Sequence, residues 1–500
     1  MAQPTGNTFI DSILYGDTRW GPSTLSYNFN NSYDTWTIAA KTAFRAALES
    51  WSDVADITFQ ETLLTGSADL VEYYIDDTTM YYTSGSDGVL GLHEIPAGTG
   101  FNGQLQGWYN WETFGWPIDY GYDAASLQPG GLAMSTFIHE LGHALGLAHP
   151  HDNDGLSELM PGVSNASDLG RYGLNQGVYT VMTYNDGWSR QDPWWSGYND
   201  RGYNSGPGAL DIAAIQYLYG AETSNNGGGT TYELGTKMGW SAIWDTGGSD
   251  RILYSGNRDA VINLNAATLD EGKNAGGFLS YVKGANSYGG FTIAGDFTDA
   301  LADSNGETGV IIENATGGNG DDLITGNRVD NVLKGKGGDD KISGRAGADR
   351  IDGGGGQDNL LGGTGNDKVL GGGGADLLRG DKGGDKLGGG NGADELYGAS
   401  GGDVLIGGKG NDVLRGGGGS DRFVFRSGYD ADEIVDFRRG ADTLALDDRL
   451  WGGGLTAQEV IDTYGQDKGS YTVLNFGGGD VLTIRGISNP DNLVDDISII

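Results

Sequence analysis

The chain has 500 residues, 93 of them glycine and none cysteine, and its 68 acidic against 30 basic side chains leave a formal charge of −38. Such a charge repels nucleic acid and anionic membrane alike, which argues against both as partners. Without cysteine there is no disulfide, thiolate metal site or thiol nucleophile. With 12 Trp, 25 Tyr and 14 Phe the chain can fill a sizeable core, and the length predicts two or three domains.

Residues 1–14 have neither a basic start nor an apolar run, so no ordinary secretory signal peptide is expected there. No apolar run is long enough to span a bilayer. Apolar periodicity predicts an amphipathic helix over residues 35–51 and strands over residues 57–59 and 69–74. Residues 89–96 read equally as an ordinary sheet strand or as a cleft-rim strand that pairs with a substrate backbone. Trp108, Tyr109, Trp111 and Trp116, with Trp188, Trp194 and Trp195 further on, could line a substrate site, although packing is the commoner role of such residues.

The segment Phe137-Ile-His-Glu-Leu-Gly-His-Ala-Leu-Gly-Leu-Ala-His-Pro150 contains three of the five histidines. On a helix over residues 139–145, His139 and His143 stand about 6 Å apart along the axis and about 40° apart in rotation, aimed at one point. If the helix continued, His149 would lie about 9 Å beyond His143 and about 120° around. A left-handed turn at Gly146 returns it as a third ligand. Three neutral imidazoles leave one position of a tetrahedral zinc open to water, the pattern of a catalytic site. Glu140 is placed to take a proton from that water. His93 and His151 are expected at the surface or in supporting positions.

Ile212, Ile215 and Leu218 recur at helical spacing within residues 210–220, and Gly220 supplies a stop. The glycine-rich stretch 225–229 marks a boundary. Beyond it short strands are expected, for example over residues 260–264.

From Gly317 to Phe423 a nine-residue unit repeats twelve times: glycine first, aspartate sixth, an apolar side chain eighth. The glycines permit sharp turns with positive φ, and the eighth residue points inward from a short strand. Two units make one coil of a parallel β-roll. Stacked coils bring carboxylates and turn carbonyls together in the all-oxygen shell that calcium takes. The calcium ligands read from the sixth position are Asp322, Asp340, Asp349, Asp358, Asp367, Asp376, Asp385, Asp394, Asp403, Asp412 and Asp421. The second unit, with Val329 and Asn331 in place of glycine and aspartate, makes the weakest site. Without calcium this region self-repels and buries too little apolar area to fold.

The zinc motif followed by Thr180-Val-Met-Thr-Tyr184 resembles the metzincin metallopeptidases, and the repeats narrow the likeness to the serralysin group. The likeness extends over residues 210–220, over Ile311-Ile-Glu-Asn-Ala-Thr-Gly317 entering the repeats, and over residues 432–442 leaving them, nearly the whole chain. It implies an α+β zinc domain, then an all-β parallel β-roll with a strand-rich cap. Met182 would form the floor under the zinc, and Tyr184 would approach the metal and stabilise the tetrahedral intermediate. The expected division is a catalytic domain over 1–222, a linker with first strands over 223–316, the calcium roll over 317–425, and a cap with a C-terminal export signal over 426–500.

The implied activity is zinc-dependent hydrolysis of internal peptide bonds, with Glu140 as general base and Tyr184 donating to the oxyanion. One catalytic zinc and several structural calcium ions are expected. The partners expected are protein or peptide substrates and an ABC-type exporter that recognises the C-terminal tail, where Ser498 interrupts an acidic-then-apolar ending. The protein would be a secreted, extracellular monomer. Calcium sites of extracellular modules have dissociation constants of roughly 0.1–1 mM, out of reach of a cytosol. No cysteine is present to block the zinc. The alternatives are a non-catalytic calcium-dependent surface or adhesion protein, and a zinc hydrolase or carbohydrate-binding protein suggested by the tryptophans.

Overall fold

The computed structural model describes residues 5–86, 89–112, 126–153, 156–185, 202–235, 239–270, 272–283, 289–295 and 310–500. The chain forms two compact units: Met1–Thr230 with Leu234–Gly248 and Asn265–Ile311, and Thr231–Glu233 with Ser249–Leu264 and Ile312–Ile500.

In the first unit the helix expected over residues 35–51 spans Ile38–Ser52, because the Thr37 side chain accepts from Ala40 N and so fixes its first turn. Its buried side chains Ala40, Phe44, Ala47, Leu48 and Trp51 recur three and four apart. The sheet of this unit runs in the order Thr58–Glu61, Thr24–Asn30, Leu70–Ile75, Leu105–Asn110 and Gly91–His93. Its neighbours are parallel except Gly91–His93, which is antiparallel to Leu105–Asn110 and forms an edge. Between helices and sheet lies an aromatic core in which Phe137 meets Phe44 and Tyr109 edge-on, at 5.4 and 5.0 Å between ring centres. Each such ring contributes about 1.5–3 kcal/mol by burial.

The motif helix is longer than expected. It runs over Leu132–Ala144, since Ala133, Met134, Phe137 and Ile138 give it a buried face well before His139. The Trp51 indole N–H donates to Ile138 O at 3.2 Å and joins this helix to Ile38–Ser52. A third helix covers Ala209–Tyr219, with Ile212, Ile215 and Leu218 buried as expected, and ends at Gly220 with φ +89°.

The second unit is a parallel β-roll. Strands 18 residues apart pair in register, for example Leu333 with Ile351 and Ile342 with Leu360, so each coil takes two nine-residue units and successive units alternate between two sheets. All twelve eighth-position side chains from Ile324 to Phe423 are at most 1% exposed. From Val332–Gly337 to Val413–Gly418 the strands are six residues long, as in Arg350–Gly355, rather than three: the ladder continues through the first three residues of the following unit. Two glycines of that unit show why the residue type recurs. A Cβ on Gly353 would stand 2.2 Å from Asp358 Oδ2, and Gly356 adopts φ +127° with Gly338 O 2.1 Å from where its Cβ would be.

Beyond Asp421 the roll continues through Arg422–Phe425, Ala431–Ile434 and Thr443–Leu446, and ends in the antiparallel pair Tyr471–Gly477 and Asp480–Arg485 with Ile497–Ile499. The expected strand-rich cap also holds a helix, Ala457–Tyr464, started by a capping box between Thr456 and Glu459. Among the described residues no helix is long and apolar enough to cross a membrane.

Candidate metal centres

The helix Leu132–Ala144 presents His139 and His143 from successive turns. Gly146 takes φ +105°, and a Cβ there would lie 2.3 Å from Thr18 O, so no other residue makes this turn without strain. Leu147 N then donates to Gly142 O at 2.9 Å, and the chain doubles back to His149. The three rings converge: His149 Nε2 lies 3.1 Å from His139 Nε2 and 3.0 Å from His143 Nε2.

Each opposite ring nitrogen faces an oxygen acceptor. His139 Nδ1 is 2.7 Å from Val181 O, His143 Nδ1 is 2.9 Å from Leu147 O, and His149 Nδ1 is 2.9 Å from Asp152 Oδ2. Those acceptors assign the proton to Nδ1 and leave three Nε2 lone pairs aimed inward. Burial and the neighbouring imidazoles hold His143 well below its ordinary value and His139 at about 3, so both rings are neutral. Lone pairs this close need a cation between them. A tetrahedral zinc with bonds of about 2.0–2.1 Å sets its nitrogens about 3.3 Å apart, so this donor set fits one zinc.

Met182 lies fully buried under the motif helix, and a Cβ on Gly142 would stand 2.5 Å from its Sδ. Its turn is fixed by Asp211, unnoticed in the sequence: Oδ1 accepts from the Thr180 hydroxyl at 2.6 Å, while Oδ2 accepts from Val181 N at 2.7 Å and Gly208 N at 2.8 Å. Burial lifts the Asp211 carboxyl to about 6 against these bonds. The signal for it was an aspartate in the first turn of an otherwise apolar helix.

Glu140 is buried beside the edge strand Gly91–His93, where a Cβ on Gly91 would stand 2.7 Å from Glu140 Cγ. Burial raises its carboxyl to about 8, with His93 acting in the opposite sense. His93 is not at the surface. It is 5% exposed, with Nε2 3.3 Å from Glu72 Oε1 and Nδ1 2.8 Å from Glu94 O. Burial disfavours its charge, but Glu72 outweighs that and raises its pKa.

Tyr184 is 57% exposed, its ring 4.7 Å from that of His149 and stacked on His139 at 5.8 Å. Desolvation of the phenol among these rings, with Glu140 and Asp152 nearby, pushes it up to about 12, so it remains a hydrogen-bond donor. His151 stacks on His149 at 5.0 Å and stands outside the triad. Of the aromatic residues singled out, Tyr109 is core, Trp108 stacks on Tyr73, and Trp111 donates to Asp34 Oδ2 at 2.9 Å. Trp116, Trp188, Trp194 and Trp195 lie outside the described residues.

In the roll the sixth-position residues form two columns. In each, the backbone N–H donates to Oδ1 of the residue 18 later, as from Asp340 to Asp358 and from Asp349 to Asp367, both at 2.8 Å. The other oxygen, Oδ2, is buried and has no hydrogen-bond partner among the described residues in Asp340, Asp349, Asp358, Asp367, Asp376, Asp385, Asp394, Asp403 and Asp412. Asp432, missed because it follows Asp412 by 20 residues and outside the glycine pattern, has the same arrangement. A row of buried carboxylate oxygens without donors fits a column of calcium ions. Burial raises these carboxyls, Asp340 and Asp432 to about 8. Three of the positions in the array differ. Asp322 accepts from Gly318 N and Ala260 N, Asp421 meets Arg438, and Asn331 donates to Glu313 O at 2.9 Å.

The matrixin model of the peptidase M10 family matches residues 19–168, and the RTX calcium-binding nonapeptide repeat model matches five overlapping stretches between residues 325 and 431. Residues 19–168 are thus similar to the matrixins and the repeats to RTX calcium-binding arrays. The chain is similar to metallopeptidase AprA of Pseudomonas marginalis, 30% identical over 64% of this chain and 60% of that protein. It is also similar to serralysins of Photorhabdus luminescens, 31% identical over 62% and 61%, and of Proteus mirabilis, 31% identical over 62% and 58%. The alignments therefore span about three fifths of these relatives. The lipase LipA of Serratia marcescens aligns over 42% of this chain and 44% of its own, with 19% identity and a TM-score of 0.22, and adds nothing to the assignment.

Proposed function

We propose that the chain is a secreted zinc-dependent endopeptidase whose calcium-loaded roll folds and stabilises it outside the cell. The observation that carries this reading is the convergence of three Nε2 atoms, each ring locked through Nδ1, next to the buried carboxyl of Glu140. Bound zinc supplies Lewis acidity for the scissile carbonyl and acidifies water. Burial alone would keep Glu140 protonated up to about pH 8, but a zinc ion beside it would favour the carboxylate, which takes the proton from the attacking water and delivers it to the leaving amide nitrogen. The Tyr184 hydroxyl donates to the carbonyl oxygen as it gains negative charge. An extended peptide would add to the outer edge of Gly91–His93, which is the last strand of its sheet among the described residues, and be held by backbone hydrogen bonds.

The catalytic part is residues 1–222 and the calcium roll residues 317–425, with a strand-rich cap after it. Export through an ABC-type exporter follows the same physics. The buried carboxylates of the roll repel one another without calcium, so the chain stays unfolded in a low-calcium cytosol and folds after release. The test compares casein cleavage by the wild type and by Glu140→Ala, both folded in millimolar calcium. Loss of about 10²–10⁴ in kcat with zinc retained is expected. A wild type that cuts nothing, or a variant that cuts equally well, would leave the adhesion reading in its place.

A further inference from the structure

One column of the roll holds Asp322, Asp340, Asp358, Asp376, Asp394, Asp412 and Asp432, linked by N–H to Oδ1 bonds from each to the next. The other holds Asn331, Asp349, Asp367, Asp385, Asp403, Asp421 and Asp442, linked in the same way. In the first column the orphaned Oδ2 atoms run on to the last rung, Asp432. In the second they stop at Asp403, although Asp421 and Asp442 are just as buried.

The difference is Arg438. Its Nη2 lies 3.3 Å from Asp421 Oδ2 and 3.1 Å from Asp442 Oδ1, and it also donates to Gly419 O, a turn carbonyl of the unit that contains Asp421. One guanidinium nitrogen thus meets two carboxylates and a turn carbonyl, the same kinds of oxygen that a calcium ion gathers between neighbouring coils. The two carboxylates are 0% and 1% exposed, while the guanidinium is 41% exposed and enters from outside. At the opposite end of this column Asn331 presents an amide in place of a carboxylate. Its Nδ2 donates to Glu313 O and Asn327 Oδ1, and its Oδ1 accepts from Asn327 N.

We propose that Arg438 is a built-in substitute for calcium: a permanent cation that closes the last rung of the second column, so that this end of the roll forms without metal. The amide of Asn331 closes the first rung in the same sense, with no charge to neutralise. The second column therefore takes fewer calcium ions than the first. Arg438 gives the calcium-dependent roll an already neutralised step at the border with its cap.

This inference rests on the calcium reading of the repeats. The experiment uses the full chain and titrates free calcium while following folding by far-UV circular dichroism, with bound calcium counted by equilibrium dialysis. Arg438→Gln should fold with a midpoint about twofold to threefold higher, because the neutralisation that Arg438 supplied must come from added ion. Arg449→Gln, which removes the same charge from an exposed arginine paired with Asp447 outside the two columns, should leave the midpoint unchanged. Equal midpoints for wild type and Arg438→Gln, or equal shifts in both glutamine variants, overturn the proposal. If Arg438→Gln does not fold at any calcium concentration, Arg438→Lys decides. Folding retained by the lysine supports the cation role, and failure of both shows a steric one. A wild type indifferent to calcium would instead refute the calcium reading itself.

Discussion

Asp152 accepts two hydrogen bonds from His149, from the ring Nδ1 at 2.9 Å and from the backbone N at 3.1 Å. Burial alone would raise this carboxyl, but the contacts with His149 outweigh it and hold the pKa below the ordinary value. Of the three rings in the triad, His149 alone is oriented by a side chain; His139 and His143 rely on the backbone oxygens of Val181 and Leu147. That makes His149 the ring whose support a substitution can remove.

Asp152→Ala is expected to weaken zinc binding by about 10–100-fold while leaving the fold intact, since an unsupported imidazole loses both orientation and basicity. Competition with a chromogenic chelator at fixed pH measures it. Unchanged affinity would mean that the loop geometry alone positions His149.

Tyr184→Phe removes a hydroxyl and keeps the ring that stacks on His139 and packs on His149. A loss of about 10²–10³ in kcat is expected, with little change in KM, because in its proposed role the hydroxyl acts only on charge that develops during the reaction. A rise in KM with kcat intact would assign Tyr184 to ground-state binding.

Gly146→Ala forces a side chain into φ +105°, with Thr18 O 2.3 Å from the new Cβ. Backbone strain of this kind costs about 1–3 kcal/mol. Thermal unfolding should shift downward, and zinc retention should fall with it because His149 depends on that turn. An unshifted transition would show that the turn can relax without loss.

Calcium binding by the roll should strengthen as pH rises. Burial lifts the metal-free carboxyls to about 8 in Asp340, about 7 in Asp394 and about 6 in Asp385, each above its unfolded value, so protons compete with calcium between about pH 6 and 8. In the metal-free roll the sign is opposite. The folded state binds more protons than the unfolded chain across this range, so its stability is greatest at acid pH and is lost as pH rises through those folded values. Calcium titrations followed by circular dichroism at pH 6 and pH 8 test the first statement, and pH titration in chelator tests the second. A midpoint that does not move with pH would contradict the first.

The linear order of residues determined most of the architecture. A period of nine with glycine, aspartate and an apolar side chain at fixed positions specifies a β-roll, because each unit is local and its partner is simply the unit 18 residues on. The spacing of His139, His143 and His149 around Gly146 likewise specifies a convergent triad, since helical geometry and one left-handed turn suffice to place it. What acts on these residues from elsewhere in the chain was decided only by the tertiary structure. Asp211 reaches back 31 residues to Thr180, Glu72 pairs with His93 across the sheet, Asp432 joins a column out of register, and Arg438 closes the other. None of these belongs to a repeating pattern. A buried polar group takes whichever partner the packed chain brings within hydrogen-bonding distance, and that choice exists only once distant segments have met.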